Sequence, residues 1–227
     1  MNNGNSRLHF NGTQTYIEIP SHSDFSVTTT GELTIAAWIT PETLTFPNIE
    51  GTGYVHWLGK GEIGQQEWTF RIYSQGNTEN RQNRISFYVF NAEGGQGIGS
   101  HFQDLLEPGE RIYVVATVDH QKTSIYRDGI KRDSDIYTGQ ITPKAGNAPV
   151  RVGTRDFNSF FKGQIYEVRF WNRCLTDNEI ANLFSTGIVS TNGLVAEYLL
   201  TQDIAPDSAG DHNGIIHSPI WIFKDES

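Results

Sequence analysis

Three carboxylates and an amide crowd into Asp203-Ile-Ala-Pro-Asp207-Ser-Ala-Gly-Asp211-His-Asn213-Gly214, within a stretch of turn-forming residues. Calcium takes six to eight oxygens from carboxylates, amide carbonyls and backbone carbonyls, and a glycine-containing loop can curl enough to present them. Asp207, Asp211 and Asn213 are therefore the expected ligands of a structural calcium ion; a solvated acidic turn is the alternative.

A second constellation comes from alternation. In Glu67 to Tyr73, Trp68, Phe70 and Ile72 share one face of a strand and Thr69, Arg71 and Tyr73 the other; in Arg84 to Phe90, Ile85, Phe87 and Val89 oppose Ser86, Tyr88 and Phe90. The apolar faces belong in a core. The opposite faces then offer Arg71, Tyr73 and Tyr88, joined by His56 and Lys60 from Tyr54 to Lys60 and by His101 from Gly97 to Phe102. Aromatic rings stack on the apolar faces of sugar rings, and Arg, Lys and His donate to hydroxyls or to a uronate carboxylate. These six residues are the expected ligand face. The competing explanation is that strand propensity alone favours Tyr, Arg and Thr at such positions.

Composition excludes several classes. The 227-residue chain is acidic, with a formal net charge of −9, and no basic stripe runs through it, which disfavours a nucleic-acid or anionic-membrane partner. Cys174 stands alone, so neither an intrachain disulfide nor a thiolate zinc cluster is expected. The seven histidines lack the i, i+4 spacing of a helical zinc site. Met1 to Arg7 carry no apolar signal-peptide core, which leaves export and intracellular residence both open. Gly95-Gln-Gly97-Ile-Gly99 has the wrong spacing for a dinucleotide fingerprint and reads as a rim loop.

The elements that must position these groups are strands. Period-two segments bounded by Gly, Pro, Asn or Asp recur along the chain: Leu33 to Ile39, Arg111 to Asp119, Lys122 to Tyr126, Pro149 to Gly153, Gly163 to Trp171, Gly193 to Leu200 and Gly214 to Phe223, besides the four named above. That number needs two packed sheets. Leu33 to Ile39 is apolar on both sides, Asp128-Gly129 reads as a tight hairpin turn, and Ser134 to Ala148 as a long crossover. One short helix is expected within residues 176–186, with an apolar stripe of Ile180, Leu183 and Phe184 and a capping box of Thr176 and Glu179. The length suits one all-β domain over residues 1–227.

Gly163-Gln-Ile-Tyr-Glu-Val-Arg-Phe-Trp-Asn172, followed by Leu175 and Glu179-Ile180, resembles the strand-and-helix signature of laminin-G-like domains, a branch of the concanavalin A-like family. Leu8 to Pro20 is similar to that family's opening hairpin, and Ile125-Tyr-Arg-Asp-Gly-Ile130 to its hairpin turn. The resemblance implies an all-β, two-sheet antiparallel jelly-roll sandwich. It places the middle strands on a concave sheet where relatives hold saccharides, and Trp38, Trp68 and Trp171 in core positions. It also lends support to calcium, because Asp207, Ser208, Gly210, Asn213 and Gly214 match a motif that carries a structural ion in many members. Jelly-roll lyases use Arg to neutralise a uronate, His as base and Tyr as proton donor, for which this chain offers Arg71, His101 and Tyr88. The alternating carboxylates of retaining glycoside hydrolases are absent. The sequence therefore points to a calcium-supported module binding an oligo- or polysaccharide; a uronate lyase and a protein-interaction module are the alternatives.

Overall fold

The computed structural model describes residues 6–90, 97–136, 144–188, 190–200 and 205–223. Its strands are β1 (Ser6–Asn11), β2 (Tyr16–Ile19), β3 (Leu33–Pro41), β4 (Tyr54–Lys60), β5 (Trp68–Tyr73), β6 (Arg84–Val89), β7 (Gly99–Gln103), β8 (Ile112–Val118), β9 (Lys122–Arg127), β10 (Ile130–Ile136), β11 (Val150–Val152), β12 (Lys162–Trp171), β13 (Leu194–Leu199), β14 (Ile215–His217) and β15 (Trp221–Phe223). A 3-10 turn at Ser23–Phe25 leads into the short helix α1 (Val27–Thr30), and α2 spans Asp177–Thr186. All strand pairings are antiparallel.

The strands form an eight-stranded sheet, ordered β10-β9-β8-β3-β12-β1-β15 with β13 also on β12, and a seven-stranded sheet, ordered β14-β2-β11-β4-β5-β6-β7. Their inner faces enclose one apolar core that includes Phe10, Ile35, Trp57, Trp68, Phe70, Phe87, Val114 and Phe170. The expected two-sheet sandwich is the observed one.

Helix α2 fixes which outer face stays open. Its Ile180 and Leu183, with Leu175, pack on Ala36, Tyr113, Val115, Tyr126 and Trp171 of the eight-stranded sheet. The centre of that sheet is thus buried on both sides, which is why β3 reads as apolar on alternate and intervening positions. The helix begins with the expected capping box: Glu179 N–H donates to Thr176 Oγ1 at 3.3 Å and Thr176 N–H to Glu179 Oε2 at 2.8 Å.

Two expectations on strand layout are corrected. Ser134 to Ile136 belong to β10 rather than to a crossover, and form its hairpin with β9 through Asp128 and Gly129, both at positive φ (52° and 78°). Residues 137–143 of the expected crossover lie outside the described residues, as do Gly95 and Gln96. Gly214 to Phe223 is not one strand. Ser218 takes φ 48° and Pro219 supplies no ladder N–H, so the segment breaks into β14 on one sheet and β15 on the other.

Candidate functional site

The outer face of β4–β7 is the one expected to hold a ligand. Register aligns His56, Arg71, Ser86 and His101 in one cross-strand row, with Tyr54 opposite Tyr73 and Tyr88 opposite Thr69. Alternation holds on β5 and β6: Trp68, Phe70, Ile72, Ile85, Phe87 and Val89 enter the core.

Alternation fails on β4. The pairing of β4 with β5 shifts between His56 and Leu58, so Trp57 is an extra residue and every later side chain changes face. Lys60 consequently stands opposite Trp68 and is 1 % exposed, not part of the ligand face. Its ammonium pairs with Glu67 Oε1 and donates to Gly146 O at 2.9 Å, while Glu67 also accepts from Ser26 Oγ at 2.5 Å and Gly146 N–H at 3.0 Å. Lys60 is a buried ion-pair member that ties β4 to α1 and to the segment before β11.

The remaining five residues share the expected face but do not line an open groove. His56, Arg71 and Tyr73 are buried, and only Tyr88 (half-buried) and His101 (side chain 42 % exposed) reach solvent. Arg71 is enclosed between two rings, its guanidinium carbon 4.3 Å from the Tyr54 centroid and 4.9 Å from that of Tyr88. Tyr73 Oη approaches Tyr88 Oη at 3.5 Å, and the guanidinium groups of Arg81 and Arg84 each lie 5.9 Å from the Tyr73 ring. Sequence periodicity had assigned the faces of β5 and β6, but had no means of seeing this cover.

Part of the cover is the 153–160 segment that follows β11. Ser159 Oγ accepts the His56 N–H at 3.0 Å, and Gly153 N–H donates to Trp57 O at 2.7 Å. Arg155 lies across Gly59, where a Cβ would come within 2.9 Å of Arg155 Cγ, and it pairs with Asp156. Inside this layer His56 Nδ1 shares a 2.6 Å hydrogen bond with Thr69 Oγ1, and its Nε2 abuts the Glu50 carboxylate off the hydrogen-bond axis. Arg71 Nε and Arg155 Nε and Nη1 have no hydrogen-bond partner among the described residues. Glu50, Tyr54, Arg81, Arg84 and Arg155 are thus site residues that the sequence reading missed. Tyr54 was within reach, being two residues from His56 on the same strand, and so was Arg84, two residues from Ser86 on the Tyr88 face of β6; Glu50, Arg81 and Arg155 come from loops without periodicity.

Burial and the nearby Arg155 and Arg71 charges hold the His56 imidazole well below its ordinary pKa, so it is neutral at pH 7. Burial raises the Glu50 carboxyl. Burial together with Tyr73 pushes the Tyr88 phenol up to about 12. Burial, then Arg84, lowers His101. The exposed rim is therefore a neutral phenol and a neutral imidazole beside the Arg81 and Arg84 cations.

The loop expected to hold calcium is built differently. Asp207 Oδ1 accepts the N–H groups of Glu197 and Ala209, each at 2.9 Å, and its Oδ2 that of His212 at 3.1 Å. Asn213 Oδ1 accepts Asp207 N–H at 3.0 Å. Asp211 is exposed, and Asp203 lies outside the described residues. Asp207 and Asn213 thus come together, but their oxygens face amide donors, where a cation would need them facing inward on itself. Among the described residues this donor set forms a clamp on the loop backbone.

The outer-face geometry can be set beside known proteins. A solved structure from Bacteroides ovatus, described as a candidate carbohydrate-binding protein, aligns with a TM-score of 0.67 at 18 % identity, covering 97 % of this chain and 61 % of that one. The chain thus spans about three fifths of that relative's length. A native heptameric SAP-like pentraxin from Limulus polyphemus aligns with a TM-score of 0.61 at 12 % identity, covering 95 % and 96 % of the two chains. No curated protein sequence matches. At these identities the structures establish the shared sandwich fold alone. The laminin-G-like family model, described as concanavalin A-like lectin/glucanases superfamily, matches residues 11–181. That match spans most of the sequence, and the chain belongs to the laminin-G-like family of the concanavalin A-like lectin/glucanases superfamily.

Proposed function

We propose that the chain is a carbohydrate-binding module whose ligand lies across the outer face of β4–β7. The observation that carries this is the Tyr54–Arg71–Tyr88 stack, with Tyr88 and His101 left accessible at its edge and Arg81 and Arg84 beside them. A sugar ring can place its C–H face on Tyr88 while hydroxyls or a carboxylate take hydrogen bonds from His101, Arg81 and Arg84. Arg71, His56 and Tyr73 then act from below, by holding the tyrosines in place. Family membership and the description of the Bacteroides ovatus relative favour the same ligand class.

The lyase alternative would require Arg71 to meet a uronate carboxylate directly, and Arg71 is only 3 % exposed. The test is a glycan array that includes neutral and uronate-containing saccharides, run alongside ultraviolet absorbance on the uronate polymers. Saturable binding without an absorbance rise supports the module. An absorbance rise from unsaturated product assigns a lyase. Absence of binding to any glycan, with elution as a defined oligomer, assigns a protein-interaction role.

A further inference from the structure

Outside the ligand face, the described residues bring His22, Asp24 and His212 together, each offering one ligand atom, with these atoms all within 4.8 Å of one another. His22 and Asp24 sit at the 3-10 turn after β2, and His212 in the Asp207 loop that leads to β14. Asp24 Oδ2 is 3.1 Å from His212 Nε2 and 3.3 Å from His22 Nδ1. For metal–ligand bonds of about 2.0–2.1 Å in a tetrahedral site, neighbouring ligand atoms stand roughly 3.3 Å apart. Two of the three edges already have that length.

His22 Nδ1 accepts the Asp24 N–H at 3.3 Å, and His212 Nε2 shares a 3.1 Å hydrogen bond with Asp24 Oδ2. A cation would replace both hydrogen bonds, with a lone pair of each imidazole turned to it and the proton between His212 and Asp24 released. The two imidazole rings pack at 4.4 Å between centroids, tilted by 47°. His212 is positioned in advance. Its N–H is held by Asp207 Oδ2 at 3.1 Å, its carbonyl accepts Tyr198 Oη–H at 2.5 Å, and its ring sits edge-on to Phe25 at 4.9 Å. The side of the cluster formed by His22 and Asp24 faces solvent, with side-chain exposures of 49 % and 35 %, which leaves room for water as a fourth ligand.

We propose that His22, Asp24 and His212 form a binding site for a divalent first-row transition metal, with zinc as its probe. Two imidazoles and one carboxylate match the nitrogen-and-oxygen preference of zinc; calcium, which takes oxygen ligands, finds one carboxylate here. The ion would join the turn after β2 to the loop before β14, so it should stabilise the fold.

Isothermal titration of chelator-treated protein with zinc chloride, paired with thermal melting, tests the site. One zinc per chain with a dissociation constant in the micromolar range or tighter is expected, on the order of −8 kcal/mol. His22→Ala and Asp24→Asn should each weaken it at least tenfold and abolish the rise in melting temperature that zinc gives the unaltered protein, while calcium gives no rise. Both variants alter an exposed turn, so their circular dichroism should match the unaltered protein. Absence of zinc binding, or binding that both variants leave unchanged, overturns the site. The readout involves no glycan, so it stands or falls separately from the saccharide proposal.

Discussion

His56 and Lys60 lie four residues apart on one strand, yet one faces the outer polar layer and the other the core side, because one extra residue at Trp57 resets the pleat. Their substitutions should behave differently. Lys60→Met leaves the Glu67 carboxylate buried without its partner and should cost about 3–5 kcal/mol in chemical denaturation, with saccharide affinity unchanged in the folded fraction. For His56, the folded-state pKa lies below the unfolded value of 6.5, so the unfolded chain binds more protons in that window. Its contribution to stability is full above pH 6.5 and is lost as pH falls below it, with a slope of up to about 1.4 kcal/mol per pH unit. Glu50, raised by burial above its ordinary 4.5, acts in the opposite sense, and Arg71, Arg155 and Asp156 are the other charged groups that face the imidazole. Urea melts from pH 7.5 down to pH 5.5 should therefore show a steeper loss for the unaltered protein than for His56→Gln; equal slopes would mean that His56 does not carry the effect. The faces of Tyr73 and Tyr88 were legible because period two is a local property. The burial of Arg71 was not, since it depends on the Tyr54 and Tyr88 rings closing on its guanidinium from the two neighbouring strands.

Helix α2 was legible to its cap. Thr176 and Glu179 satisfy each other's backbone donors, and Arg173 grips Glu179 at 2.5 and 3.0 Å, holding that carboxyl down to about 2. Thr176→Ala should lower stability by about 1 kcal/mol in denaturant melts. The Glu179 contribution is complete above its ordinary value of 4.5 and disappears as pH falls toward 2, so Glu179→Gln should flatten the acid limb of the stability profile between those values. Strand β10 was not legible, because Ile130-Lys-Arg-Asp-Ser-Asp-Ile136 is a mostly exposed edge whose charges mask period two. Charged edges of this kind resist pairing with other chains. The β14–β15 break was available in principle from Pro219 and was overridden by the apolar run around it.

At the scale of the whole molecule, the two outer faces divide the work. Helix α2 seals the centre of the eight-stranded sheet, and the seven-stranded sheet presents the polar, aromatic face. The family pattern conveyed this layout because it resides in strand order and in the helix after β12, both of which are written into the sequence as periodicity and turn residues. Metal sites are another matter. The Asp207 loop has the composition of an ion site, but its oxygens are directed at amides, so calcium added after chelation should leave the melting temperature unchanged. A calcium-dependent rise abolished by Asp207→Asn would restore the ion to that loop. His22 and His212 are joined only by folding, and no spacing rule could have paired them.

The most direct test of the ligand face is calorimetric titration of the best glycan from the array into the unaltered protein, Tyr88→Ala and His101→Ala, with Phe184→Ala on the opposite, helix-bearing side as control. Loss of a stacking tyrosine should weaken binding about tenfold or more, His101→Ala should weaken it by a smaller factor, and the control should bind as the unaltered protein does. Full affinity in Tyr88→Ala, or a loss confined to Phe184→Ala, would contradict a saccharide site on β4–β7.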